Sequence, residues 1–151
     1  MKKIKKKSLL FTKNPYNKKY LILHPWEIFL HMGRDIKCAW QRAKYGYCFR
    51  DIWSIDWWFV KIIPQMLHEL NEIQNAHPCT MSFKEWKTIL DEMTFYFTEA
   101  NEETCTQQNE IEYSFDSKEW FTREKELDQY REECLQKGFN LFIKYFHDLW
   151  D

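Results

Sequence analysis

The residues best suited to hold a metal or to act as nucleophiles are five histidines (His24, His31, His68, His77, His147) and five cysteines (Cys38, Cys48, Cys79, Cys105, Cys134). No histidine has a partner at metal-ligand spacing, and no two cysteines form a C-x-x-C pair. His77-Pro78-Cys79 sets an imidazole near a thiol. A zinc deaminase needs a histidine–x–glutamate element and a P-C-x-x-C as well, and the chain has neither. A polar loop histidine beside a half-buried thiol is the plainer reading. Glu124, Glu126, Asp128, Glu132 and Glu133 cluster within one helical stretch, where paired carboxylates could hold metal ions. An E-x-x-H partner is missing, and Arg123, Lys125 and Arg131 interleave with the acids. A solvated face with salt-bridge pairs fits better. There is no phosphate-cradling glycine loop, nucleophile elbow or H-E-x-x-H. The chain reads as a non-enzyme without metal or cofactor.

The densest segment chemically is Trp40 to Trp58, W-Q-R-A-K-Y-G-Y-C-F-R-D-I-W-S-I-D-W-W. Arg42, Lys44 and Arg50 surround Tyr45, Tyr47 and Phe49 at an expected helical corner, with Trp53 just beyond. Guanidinium planes and exposed rings are what grips phosphates and stacks bases. The start of the following helix also aims free N–H groups at an anion. The competing reading packs Tyr45, Tyr47 and Phe49 into the corner and pairs Arg50 with Asp51 or Asp56. Asp56 lies among Trp53, Ile55, Trp57 and Trp58, and if buried it must be paired. Arg42, Arg50 or an indole N–H would be its partner, making Asp56 either a clamp across two helices or a ligand contact. The candidate ligand-binding set is therefore Arg42, Lys44, Tyr45, Tyr47, Arg50, Trp53 and Asp56.

These residues need helices to position them. The chain has 151 residues, 44% of them hydrophobic and 19% aromatic, enough for one domain with a real core. Three glycines and four prolines are few breakers, which favours long helices. The pattern predicts an all-α fold, an irregular bundle of about four long amphipathic helices. Residues 1–24 read as a basic N-terminal arm and 25–151 as one helical domain. The first helix starts at Pro25 and ends at Gly46, burying a stripe of Trp26, Phe29, Gly33, Ile36, Trp40 and Ala43. The second spans about 50–76, kinked at Pro64 or broken at Ile63. Ser82 and Glu85 form a capping box, with Met81 stapled to Trp86. The third helix then buries Phe83, Trp86, Leu90, Met93 and Phe97. Residues 99–116 form a long polar loop in which Ile111, Tyr113 and Phe115 alternate. Asp116 or Ser117 caps a fourth helix that runs towards Trp150. Gly138, inside it, marks a close crossing.

Net charge is −1, but it is unevenly spread. Residues 1–50 hold thirteen basic and two acidic side chains, a net of +11; residues 51–151 hold nine and 21, a net of −12. Such a split points to a partner that reads charge, or to one half covering the other. The odd cysteine number and the absence of a leader pattern fit reduced thiols in a cytoplasmic protein, and no apolar run approaches a membrane span.

Three stretches carry a resemblance: G-Y-C-F-R-D-I-W-S-I-D-W-W-F (Gly46 to Phe59), F-K-E-W-K-T-I-L-D-E-M (Phe83 to Met93) and F-I-K-Y-F-H-D-L-W (Phe142 to Trp150). The chain resembles small proteins encoded by bacteriophages and prophages that share GY-x-x-x-D-x-W-x-x-D, EW-x-x-x-L and an aromatic C-terminus. The resemblance implies an infected host cell's cytoplasm and, by analogy with small phage proteins, an inhibitor or a sequestering role in anti-defence. The expected function is non-enzymatic binding of an anionic small molecule, such as a nucleotide, or of nucleic acid. The alternative is a protein–protein inhibitor or structural accessory acting on a host or phage protein, with a homo-oligomer among the arrangements it allows.

Overall fold

The computed structural model describes residues 18–150 apart from Phe115. Most of the basic arm, including the lysine run near its start, lies outside the described residues. Every regular element among them is helical: α1 (Lys18–Leu23), α2 (Trp26–Tyr45), α3 (Phe49–Trp53), α4 (Ile55–Ile73), α5 (Phe83–Glu99) and α6 (Lys118–Lys144), followed by one 3-10 turn (Phe146–Asp148). The all-α architecture is as the pattern predicted, with two short helices added. By its internal contacts the chain divides into two compact units, 1–55 and 56–151. The charge division falls almost at the same place. The first unit holds thirteen basic and three acidic residues, the second nine and 20.

In the first unit, Pro25 caps α2 with φ −62°, and Gly46 ends it at φ +81°, its N–H bonded to the Arg42 carbonyl at 2.9 Å. Only glycine takes that left-handed turn without strain. The expected helix over 50–76 is two helices, because Ser54 leaves helical geometry (φ −146°, ψ 61°). The face that α2 buries also corrects the sequence pattern. Trp26, Phe29, Gly33, Ile36, Trp40 and Ala43 are all exposed, whereas His31, Asp35 and Cys38 on the opposite side are buried.

The second unit has a conventional apolar core. Ser82 Oγ accepts from the Glu85 N–H at 3.3 Å, and the Glu85 carboxylate accepts from the Ser82 N–H at 2.8 Å, completing the capping box. From that start α5 buries Trp86, Leu90, Met93 and Phe97 completely, and Met81 packs on the same cluster. Phe83, expected inside, is exposed at the first helical position, with Lys87 Nζ 5.0 Å from its ring centroid. From α4 come Phe59, Ile63, Leu67 and Leu70; from α6 come Leu135, Phe139, Leu141 and Phe142. Phe59, Phe97, Phe139 and Phe142 form a ring cluster with centroid separations from 5.1 to 5.9 Å. Trp86 donates its indole N–H to Gln74 Oε1 at 2.8 Å, so its one polar atom is satisfied in the core.

Pro64 sits inside α4 and does not end it. Its missing N–H would orphan the Val60 carbonyl, and Asn101 Nδ2 approaches that oxygen at 3.5 Å. The next carbonyl, Lys61, takes a bond from Gln65 Nε2 at 2.5 Å. Residues 99–116 are ordered at their start by Glu99, a carboxylate only 1% exposed. It accepts from the Thr106 N–H at 3.1 Å, Thr106 Oγ1 at 2.7 Å and the Tyr130 hydroxyl at 3.1 Å. Burial first, then hydrogen bonds with Cys134 and Glu99, push the Tyr130 phenol far above its ordinary value. Ile111 and Tyr113 are exposed, and Phe115 lies outside the described residues. Ser117 caps α6 by accepting from the Trp120 N–H at 3.2 Å. The helix ends at Lys144 instead of running on towards Trp150, and the 3-10 turn lets Leu149 fold back on the core.

Gly138 is where α5 and α6 press together. A Cβ there would lie 2.9 Å from the Phe97 ring, whereas one at Gly33 meets nothing within 4 Å. Gly138→Ala should therefore overpack the core and destabilise the second unit by roughly 1–3 kcal/mol. Gly33→Ala should stabilise α2 by about 0.8–1 kcal/mol. Urea denaturation midpoints moving in opposite directions would show both.

Candidate functional site

The corner joining α2 to α3 is built from charge pairs. Arg42 grips Asp51 with two parallel bonds, Nε to Oδ2 at 2.9 Å and a terminal nitrogen to Oδ1 at 2.5 Å. The same carboxylate accepts the Cys48 N–H at 2.8 Å, which starts α3. Arg50 reaches back to Asp35 at 2.5 Å, and His31 Nδ1 lies 3.3 Å from the other oxygen of that acid. Gln41 Oε1 accepts the Phe49 N–H at 3.2 Å. Cys38 and Cys48 are both buried here. Burial foremost, then its hydrogen bond with Cys48, pushes the Cys38 thiol above its usual range. Burial works against ionisation of Asp51 more than any other single influence. The bonds from Arg42 and Cys48 together outweigh it and hold the carboxyl below the usual carboxylate range.

The expected binding residues are therefore divided among different roles. Arg42 and Arg50 keep α2 and α3 together through buried carboxylates. Arg50 pairs with Asp35, not with Asp51 or Asp56. Asp56 is exposed and belongs to the second unit, so the clamp expected of it is carried by Asp51 instead. Lys44, Tyr45, Tyr47 and Trp53 are all exposed. The Lys44 ammonium lies 4.9 Å from the Trp40 ring centroid and 5.1 Å from that of Tyr45. The Tyr45 and Tyr47 centroids are 6.5 Å apart.

What the sequence pattern missed is the larger surface around this corner. Phe29 is 72% exposed, Ile36 61% and Trp53 87%; Ile22, Leu23, Trp26, Leu30, Trp40 and Ile52 are exposed as well. The only buried hydrophobic residues described in the first unit are Cys38 and Cys48. A unit whose interior is polar and whose rings are exposed draws little hydrophobic stabilisation from its own interior. The missed signal was a second helical stripe. His31, Asp35, Cys38 and Arg42 recur at spacings of three and four just as the apolar set does, and both stripes compete for the interior.

Elsewhere, a shallow open groove runs past Met81, Glu85, Ile89, Lys144 and Tyr145 in the second unit. Thr80 and Thr88 line it as well. Among the described residues no cluster of histidine, cysteine and carboxylate could hold a metal ion, and no helix is long and apolar enough to cross a membrane. No family, curated protein or solved structure matches the chain.

Arg42→Ala would strand the Asp51 carboxylate, and truncating one partner of such a buried pair costs about 3–5 kcal/mol. Replacing both, as Arg42→Met with Asp51→Leu, should recover much of the loss. Because the folded-state pKa of Asp51 is depressed, its contribution is present above the unfolded value of about 3.9. It is lost as pH falls through the folded value. Protection of the α2–α3 amides from hydrogen exchange, corrected for the intrinsic slowing of exchange in acid, should therefore fall as pH drops in the wild type, and Asp51→Asn should show less of that pH dependence.

Proposed function

We propose that this protein is a non-enzymatic binding protein and that it docks through the exposed face of its first unit onto an anionic partner. The observation that carries this reading is the inversion of α2. Its buried side holds His31, Asp35 and Cys38, and its exposed side holds Phe29, Ile36 and Trp40. Each large apolar side chain that a partner covers contributes about 1.5–3 kcal/mol before the losses of association are subtracted. A handful of them is enough for a stable complex. A resemblance to small phage proteins would set the partner in an infected bacterium, and it supports sequestration or inhibition of a host component in anti-defence as the role.

A photo-crosslinking residue at position 29 or 36 tests this in cells. The expected result is a discrete adduct, to protein or to lipid, at both positions. Position 66 in the second unit serves as the control, since Met66 is comparably exposed. Equal labelling at all three positions would remove the reading.

A second reading is supported by Lys44 held over Trp40 and Tyr45 with Tyr47 alongside. This cation among stacked rings suits a nucleotide or single-stranded nucleic acid. The two arginines contribute less than their sequence positions implied, since a phosphate would compete with Asp51 and Asp35 for them. Titration with nucleotides and short oligonucleotides at two salt concentrations should show salt-sensitive binding that Lys44→Gln and Tyr47→Ala weaken. Binding unaffected by either change would exclude the corner.

A further inference from the structure

We infer that the anionic partner of the first unit is a lipid bilayer surface, an assignment that rests on the docking reading above and names its occupant. Three observations select a bilayer. The first is charge. Lys18, Lys19, Arg34, Lys37 and Lys44 are all exposed on α1 and α2. The acids of these helices are Glu27, which is half-buried, and Asp35, which is buried against Arg50. The exposed surface of the two helices is thus apolar and cationic, complementary to anionic headgroups above an acyl layer. The second is residue type. Trp26, Trp40, Tyr45 and Trp53 combine an apolar ring with a polar N–H or O–H, the composition that settles at a membrane–water boundary. The third is geometry. On a helical wheel Phe29, Gly33, Ile36 and Trp40 fall together on one face of α2, with Trp26, Lys37 and Lys44 at its border. Such a face lies along a 20-residue helix. A fluid bilayer conforms to it without a preformed groove.

Two copies meeting face to face fit less well. The first unit carries thirteen basic against three acidic residues, so like charge opposes that pairing. No described helix is long and apolar enough to span, so contact would be peripheral, with α2 lying in the interface plane. Lysine stems at the border would lie along the apolar surface while their ammonium groups reach the headgroups.

Flotation of the full chain with two kinds of vesicle tests the assignment. It should rise with vesicles of mixed phosphatidylglycerol and phosphatidylcholine and stay largely behind with phosphatidylcholine alone. Added salt should weaken the binding. Phe29→Asp and Ile36→Asp change exposed positions and should fold, as circular dichroism would verify, yet lose flotation. Lys37→Gln and Lys44→Gln should each weaken partitioning roughly fivefold. Met66→Asp in the second unit should float like the wild type. No flotation with the anionic vesicles, or undiminished flotation of both aspartate variants, would overturn the bilayer assignment. If flotation fails while positions 29 and 36 still crosslink to one protein, the docking surface stands and its occupant is an acidic protein groove. If flotation and crosslinking both fail, both proposals fall.

Discussion

The two-pronged bond from Arg42 to Asp51 fixes which side of α2 turns towards α3. Both groups are largely withdrawn from water, and a buried carboxylate must be compensated. Once α2 turns Arg42 inward to meet α3, the residues one, two and three turns back on the same side follow it. These are Cys38, Asp35 and His31, and each finds a partner there. The opposite side of the helix then has no choice but to face outward. Exposure of Phe29, Ile36 and Trp40 is thus the geometric consequence of satisfying charge on the far side of a 3.6-residue repeat.

The second unit follows the opposite logic. Its rings close around Phe97, and several of the polar groups that enter the interior bring partners with them. Trp86 bonds Gln74, Asn71 bonds Asp91 at 2.7 Å, and Glu99 collects Thr106 and Tyr130. Even the carbonyl stranded by Pro64 is approached by a side chain from the loop after α5. An apolar interior here and exposed apolar side chains in the first unit set the two units apart. The charge division at nearly the same boundary reinforces that separation.

Local signals located the helices well where a single residue type does the work. Gly46 ends α2 because only a residue without Cβ turns left-handed cheaply. Ser82 and Glu85 start α5 because their side chains satisfy backbone donors nearby. Gly138 lies against Phe97 because the two helices come too close for a methyl group. The short α3 escaped notice because Ser54 is an ordinary helix residue by type. Its departure from helical geometry accompanies the commitment of Asp51 to Arg42, nine residues away.

The sequence alone determined the helical class, most helix ends, the core stripe of α5 and the uneven charge. All of these depend on neighbours within a turn or two, or on simple composition. Which face of α2 turns inward was decided only by tertiary structure. Two stripes of equal period lie on that helix, and periodicity alone does not rank them. Hydrophobic burial favours one. Compensation of Asp35 and Asp51 by arginines that chain reversal brings back from a distance favours the other, and in the folded protein the charges prevail.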